Sequence, residues 1–99
     1  MLSTLGLPML NNEQRVSIFK ALADETRLNI VRILYVNNKE MSCGELGRIC
    51  DASKSNTSYH FRTLREANLI KVRKDAQTKY ASIDLETFHL YLPGFLNTL

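Results

Sequence analysis

The chain has 99 residues, of which 44% are hydrophobic, and carries a net charge of +3. That length corresponds to one domain with a small core, and no run of 18 or more apolar residues is present to span a membrane. Met1 to Leu10 is apolar but has neither a basic flank nor a small-residue cleavage pattern, so a secretory signal is not expected. The two cysteines, Cys43 and Cys50, have no framework spacing, which suggests a reducing compartment and a cytoplasmic protein.

A first helix is expected from about Asn12 to Ala23, capped by Asn11 or Asn12, with Val16, Phe19 and Leu22 at helical spacing. Asp24 then caps a second helix from Glu25 to about Val36. Its Leu28, Ile30, Val31, Ile33, Leu34 and Tyr35 are apolar on most sides, which places it in the middle of the domain. Asn37 to Lys39 is the next break.

A third helix starts at Ser42, where Glu45 three positions on completes a capping box, and Leu46, Ile49 and Cys50 form its inner stripe. Asp51-Ala52-Ser53 interrupts it. Ser53 caps a fourth helix, Lys54 to Glu66, with Thr57, Phe61 and Leu64 on one face. At about 100° per residue, the opposite face carries Ser55, Ser58, Tyr59, Arg62 and Glu66. These short, hydroxylated, aromatic or cationic side chains suit base edges and phosphates. A plain solvent face would carry a ladder of Lys and Glu, and none is present here.

Leu69 to Lys74 and Lys79 to Ile83 read as a hairpin, with Leu69, Val72, Tyr80 and Ile83 inward and Lys71, Arg73, Lys74 and Lys79 outward. The turn, Asp75 to Thr78, lacks Asn-Gly chemistry, so a loop of about four residues is expected. Helix, three-residue turn, helix and hairpin together make a winged helix-turn-helix, mainly α with a small β-hairpin in the order α-α-α-α-β-β-α. Between Lys54 and Lys79 lie seven basic and two acidic residues, so this segment carries +5 and the rest of the chain −2. Such a concentration is the electrostatic footprint of phosphate neutralisation.

The last segment begins at Asp84, a cap, and places Leu85, Phe88, Leu92, Phe95, Leu96 and Leu99 at heptad positions, interrupted by Pro93-Gly94. It either folds back on the domain's own core or forms a homodimer seam. The seam is the expectation, with terminal segments of about 1–22 and 84–99 forming the dimer interface of a single domain, 1–99. Two-fold symmetry then places two recognition helices one DNA turn, roughly 34 Å, apart.

Phe19-Lys-Ala-Leu-Ala-Asp-Glu-Thr-Arg-Leu-Asn-Ile-Val-Arg-Ile-Leu34 resembles the opening signature of the ArsR/SmtB family of bacterial winged-helix repressors. Ser58-Tyr-His-Phe-Arg-Thr-Leu-Arg-Glu-Ala-Asn-Leu69 is similar to the family's recognition helix, Ser-His-His-Leu followed by Leu-Arg-Glu-Ala-Gly-Leu. With the wing, the resemblance covers about Gln14 to Leu92. It implies a homodimeric repressor on a partly palindromic double-stranded DNA operator. The residues matching its base-contacting positions are Lys54, Ser55, Ser58 and Tyr59, with Asn56 close by, and Tyr59 replaces a usual His. Arg62 and the wing residues Arg73, Lys74 and Lys79 are expected on phosphates, and His60 as a packed, hydrogen-bonded histidine.

Many members of that family release DNA on binding a metal. At the positions of the family's Cys-x-Cys pair this chain has Ser42 and Gly44, with Cys43 between. Cys43 and Cys50 lie two helical turns, about 10.5 Å, apart, too far for a disulfide within one helix or for one shared metal. At the family's other common site Asp84 fits the first position, but Glu86 replaces a His and Asn97 stands where the next ligand belongs. No metal site and no cofactor are therefore expected, and the effector is left open. Cys43, near a helix start where the dipole favours a thiolate, offers an alternative thiol-responsive repressor. A winged-helix module binding protein is the other alternative, which the clustered charge opposes. No nucleophile–base pair, phosphate loop or acid dyad supports an enzyme.

Overall fold

The computed structural model describes residues 10–99. Helices α1 (Asn12–Leu22) and α2 (Glu25–Asn37) are separated only by Ala23 and Asp24. Asn11 Oδ1 accepts the N–H groups of Glu13 and Gln14 at 2.7 and 3.1 Å, and Asp24 Oδ1 accepts that of Arg27 at 2.9 Å. These side chains satisfy donors that have no partner within a first helical turn. α2 ends at Asn38 in the left-handed conformation, φ 49°.

The strand β1 (Met41–Ser42) was not visible as a repeating pattern, because two residues become a strand only by pairing. It lies antiparallel on β3 (Thr78–Ile83), which also pairs with β2 (Ile70–Asp75), giving the order β1-β3-β2. Ser42 then caps α3 (Cys43–Ile49): its Oγ accepts from Glu45 N at 3.1 Å, and Glu45 Oε1 accepts from Ser42 N at 3.1 Å. The expected capping box is complete, and the Ser42 backbone N–H, with the Ser42 hydroxyl beside it, holds the Glu45 carboxyl below its ordinary pKa.

α4 (Lys54–Glu66) buries Thr57, Phe61 and Leu64, the stripe its periodicity indicated. With Ile18, Ala21, Ile30, Val31, Leu34, Leu46, Leu69, Ile70, Ala81 and Phe88 these form one core. α2 contributes Ile30, Val31 and Leu34 and packs on α1, α4 and β3, while its Leu28, Ile33 and Tyr35 are only half-buried. Two other stripes face differently from their expectation. In α1 the buried side chains are Ile18, Ala21 and Leu22, while Val16 and Phe19 stand exposed. In α3 Leu46 is buried and Cys50 half-buried, but Ile49 is exposed. Gly47 of that helix is buried because α4 lies against it. A Cβ there would sit 3.0 Å from Thr57 Oγ1 and 3.2 Å from the Ala52 carbonyl oxygen.

The hairpin pairs without interruption from Ile70↔Ile83 to Asp75↔Thr78, leaving Ala76 and Gln77 as a two-residue turn. The four-residue loop expected from the absence of Asn-Gly does not form. Ala76 adopts φ 54° instead, a conformation in which its methyl crowds the following carbonyl. Inward along β3 the fully buried residue is Ala81, not Tyr80, since Tyr80 lies opposite Arg73 on the other sheet face.

Asp84 caps α5 (Leu85–Tyr91) through Oδ1, which accepts from Thr87 N at 3.1 Å. Gly94, at φ 82°, turns the chain into a 3-10 turn, Phe95–Thr98. The heptad seam is thereby broken and folds inward. Phe88 and Leu96 are buried, the Phe88 and Phe95 rings stack at 6.2 Å, and Leu92 and Leu99 pack on the core. Leu85 and Leu90 remain exposed. The part of the expected interface in residues 1–9 lies outside the described residues.

Candidate nucleic-acid interface

Local chemistry sets the start of α4. Ser53 Oγ accepts from Asn56 N at 3.1 Å, and Thr57 Oγ1 donates to the Ser53 carbonyl at 2.9 Å. With Thr57 buried against Gly47, the first turn must present Lys54, Ser55 and Asn56 to solvent. One turn on, Tyr59 is 52% exposed and tilts against the His60 ring at 5.5 Å, and Arg62 is exposed beyond it. Ser58 is half-buried, its Oγ 3.9 Å from Cys43 Sγ.

The wing completes the surface. Lys74 and Lys79 are directly paired across the hairpin. They line a groove of about 260 Å³ with Ser58, Arg62 and Arg65 of α4, floored by Phe61 and Val72. No carboxylate lines this groove. Like charges directly opposite on a hairpin repel, so an anion between wing and helix would relieve a strain already built in. A second groove, about 680 Å³, runs from the start of α3 to the wing tip and brings Lys54 and Lys79 together with Arg48 and Gln77, beside Asp51.

Of the residues singled out from sequence, Lys54, Ser58, Arg62, Lys74 and Lys79 are thus gathered around two adjoining grooves, with Ser55, Asn56 and Tyr59 on the exposed face of the same helix. Arg73 stands apart from them. It lies on the opposite sheet face, where its guanidinium grips both Glu40 carboxylate oxygens at 2.6–3.2 Å and lies 4.6 Å from the Tyr80 ring centroid. The Arg73 guanidinium holds the Glu40 carboxyl below its usual range. Arg48, Arg65 and Gln77 were missed. Arg48 and Arg65 differ from solvent-facing arginines only in what lies beside them, and Gln77 becomes a groove residue only once the turn is tight.

His60 is half-buried and turned toward α1 and α2. Its Nδ1 accepts from Arg27 Nη1 at 3.1 Å, and Arg27 Nε donates to the Ala21 carbonyl at 2.6 Å. Arg27 has only 9% of its surface exposed, so the pair joins the end of α1 to the middle of α4. Burial pushes the His60 imidazole below its ordinary pKa, reinforced by the Arg27 charge and opposed by Asp24. Burial likewise raises the Cys50 thiol, as suits a small apolar filler.

A capped helix on a tight helix-turn-helix, flanked by a cationic hairpin, is the DNA-binding domain of a transcriptional regulator. Residues 22–73 match the family described as a helix-turn-helix domain. The chain is 54% identical over 97 residues to the uncharacterized HTH-type transcriptional regulator YceK of Bacillus subtilis, covering 98% of this chain and 97% of that one. It is 38% identical over 73 residues to the transcriptional activator HlyU of Vibrio cholerae, covering 74% and 66%. A crystal structure of an ArsR family transcriptional regulator shares 25% identity at a TM-score of 0.74, with 84% of each chain covered. The solution structure of a homodimeric winged helix-turn-helix domain from Mycobacterium bovis shares the fold, at 22% identity and TM-score 0.68, with 77% of this chain and 68% of that one covered. The chain belongs to the ArsR family of winged helix-turn-helix transcriptional regulators.

Proposed function

We propose that the chain is a homodimeric repressor that binds a partly palindromic DNA operator in the cytoplasm, without the usual metal sites of its family. The observation that carries this reading is the carboxylate-free groove in which Arg62, Arg65, Lys74 and Lys79 face one another between α4 and the wing. On this reading Arg62, Lys74 and Lys79 of that groove, with Lys54 of the adjoining one, meet phosphates, and Ser55, Asn56, Ser58 and Tyr59 of α4 meet base edges in the major groove. No helix among the described residues is long and apolar enough to cross a membrane.

Dimerisation is supported by apolar side chains left outside. Val16 and Phe19 of α1 and Leu85 and Leu90 of α5 are each 43–54% exposed. The two helices are tied together, with Tyr91 Oη accepting from Asn11 N at 3.2 Å and Arg15 lying 5.9 Å from the Tyr91 ring centroid. Burying this surface against its own copy would complete a core that a 99-residue chain leaves small. The absence of the usual metal sites is supported by Ser42 and Asp84, which stand at ligand positions of the family and here cap helices.

Fluorescence anisotropy on operator and random duplexes at two salt concentrations tests the reading. Genomic footprinting supplies the operator, and sedimentation gives the mass of the complex. The expected outcome is two copies per operator and an affinity that falls steeply with salt. Salt-independent binding, or one copy per site, would overturn it. Higher transcription from the bound promoter when the gene is deleted is the expected sign of repression, and lower transcription would make the protein an activator.

A further inference from the structure

We propose that Glu40 limits DNA affinity by occupying Arg73, so that the charge at position 40 sets how many wing cations are free for phosphate; this rests on the DNA-binding reading above. Three observations support it. Arg73 is held by three hydrogen bonds to one carboxylate, with Nε 3.2 and 3.1 Å from the two oxygens and Nη2 2.6 Å from Oε1. Its planar face is also taken, lying 4.6 Å from the Tyr80 ring centroid, and Asp75 approaches its other amino group at 3.9 Å. By contrast, Lys74 and Lys79, one position away on the opposite face, have no carboxylate within salt-bridge distance among the described residues.

Were the hairpin to lie along a minor groove, about 6 Å wide, a phosphate strand would flank each of its faces. Lys74 and Lys79 serve one strand. Arg73 is the cation placed for the other, and the bidentate fork that grips Glu40 is the geometry that would grip a phosphate. Glu40 precedes β1, across β3 from Arg73, so the pair also spans the width of the sheet. While Glu40 is ionised, a phosphate must displace a carboxylate to reach Arg73, and no net counterion is released from the DNA for that exchange.

The test is Glu40→Gln in the full chain, read by anisotropy across a salt series. Glu25→Gln, an equal charge change at the start of α2, serves as the control. Glu40→Gln is expected to bind operator and random duplex about fivefold more tightly near 0.15 M salt, with the slope of log K against log salt steeper by about 0.9. Glu25→Gln is expected to leave that slope unchanged, and Glu40→Gln/Arg73→Ala to lose the gain. A gain that survives in the double variant, or an unchanged slope in a folded Glu40→Gln protein, overturns the proposal while leaving the DNA-binding reading intact. A wild-type protein that binds no DNA at low salt removes both.

Discussion

Asn68 donates from Nδ2 to Gln14 Oε1 at 2.7 Å, while Gln14 Nε2 donates to the neighbouring Ala67 carbonyl at 2.6 Å. The first helix thus grips the turn that follows the recognition helix. Asn68 is at φ 61° and its N–H bonds to the Arg65 carbonyl, closing α4 in the left-handed conformation that glycine or asparagine adopts most readily. Asn68→Ala should cost about 1–2 kcal/mol from the αL penalty together with the lost hydrogen bond. Asn68→Gly should cost less, about 0.5–1 kcal/mol, because it keeps the backbone conformation and loses the clasp and some chain entropy. Urea denaturation of the two variants checks the order, and equal losses would show that the turn does not depend on its backbone conformation.

The pair of half-buried His60 and buried Arg27 sets a pH dependence. Burial lowers the folded-state pKa of His60, so the fold prefers the neutral ring. Its contribution is intact above the ordinary histidine value of about 6.5 and is lost as pH falls through that value toward the lower folded one. Asp24, Glu40 and Glu45 have carboxyls held below their ordinary values. They stay ionised down to about pH 5 and do not contribute in this window. Wild-type stability should fall between pH 7.5 and 5.5, and His60→Gln, which keeps an acceptor for Arg27, should flatten the curve. A variant as pH-sensitive as wild type would assign the effect elsewhere.

Tyr59 and Lys74 should separate specificity from affinity. Tyr59 is exposed on the outer face of α4, and the base-contacting role proposed for it means that Tyr59→Ala should erode about 1–3 kcal/mol of preference for operator over random duplex. Lys74→Ala should weaken both duplexes alike and lower the salt slope by about 0.9. Equal loss on both duplexes for Tyr59→Ala would exclude it from base reading.

At the wing tip, Ala76 holds φ 54° without the freedom of a glycine. Ala76→Gly should remove the steric cost and stabilise the hairpin by about 1 kcal/mol, after the extra entropy glycine loses. Hydrogen exchange of the β2–β3 amides is the direct measure, and faster exchange in the variant would contradict the expected relief.

Where a residue pattern had one solution, it could be read directly. Thr57, Phe61 and Leu64 are the only apolar-compatible face of α4, and Ser42 with Glu45 has one capping geometry. α1 offered two apolar faces, and Ile18 with Ala21 and Leu22 took the core because they meet α2 and α4, leaving Val16 and Phe19 outside. The pairing of Arg73 with Glu40 spans 33 residues. Both residues look like ordinary surface charges until β1 is laid beside β3. The wing turn escaped for another reason: six consecutive cross-strand pairs outweigh the local preference of one alanine.

Gly47 has a consequence for evolution of the domain. A methyl at that position would press on Thr57 Oγ1 and on the Ala52 backbone, and the backbone cannot yield without moving the turn. A single hydrogen therefore acts as the depth stop for the recognition helix. If the outer face of α4 reads the operator as proposed, substitutions on that face would retarget the domain while Gly47 keeps its seating. Any side chain at 47 would change how far that face projects, whatever it reads.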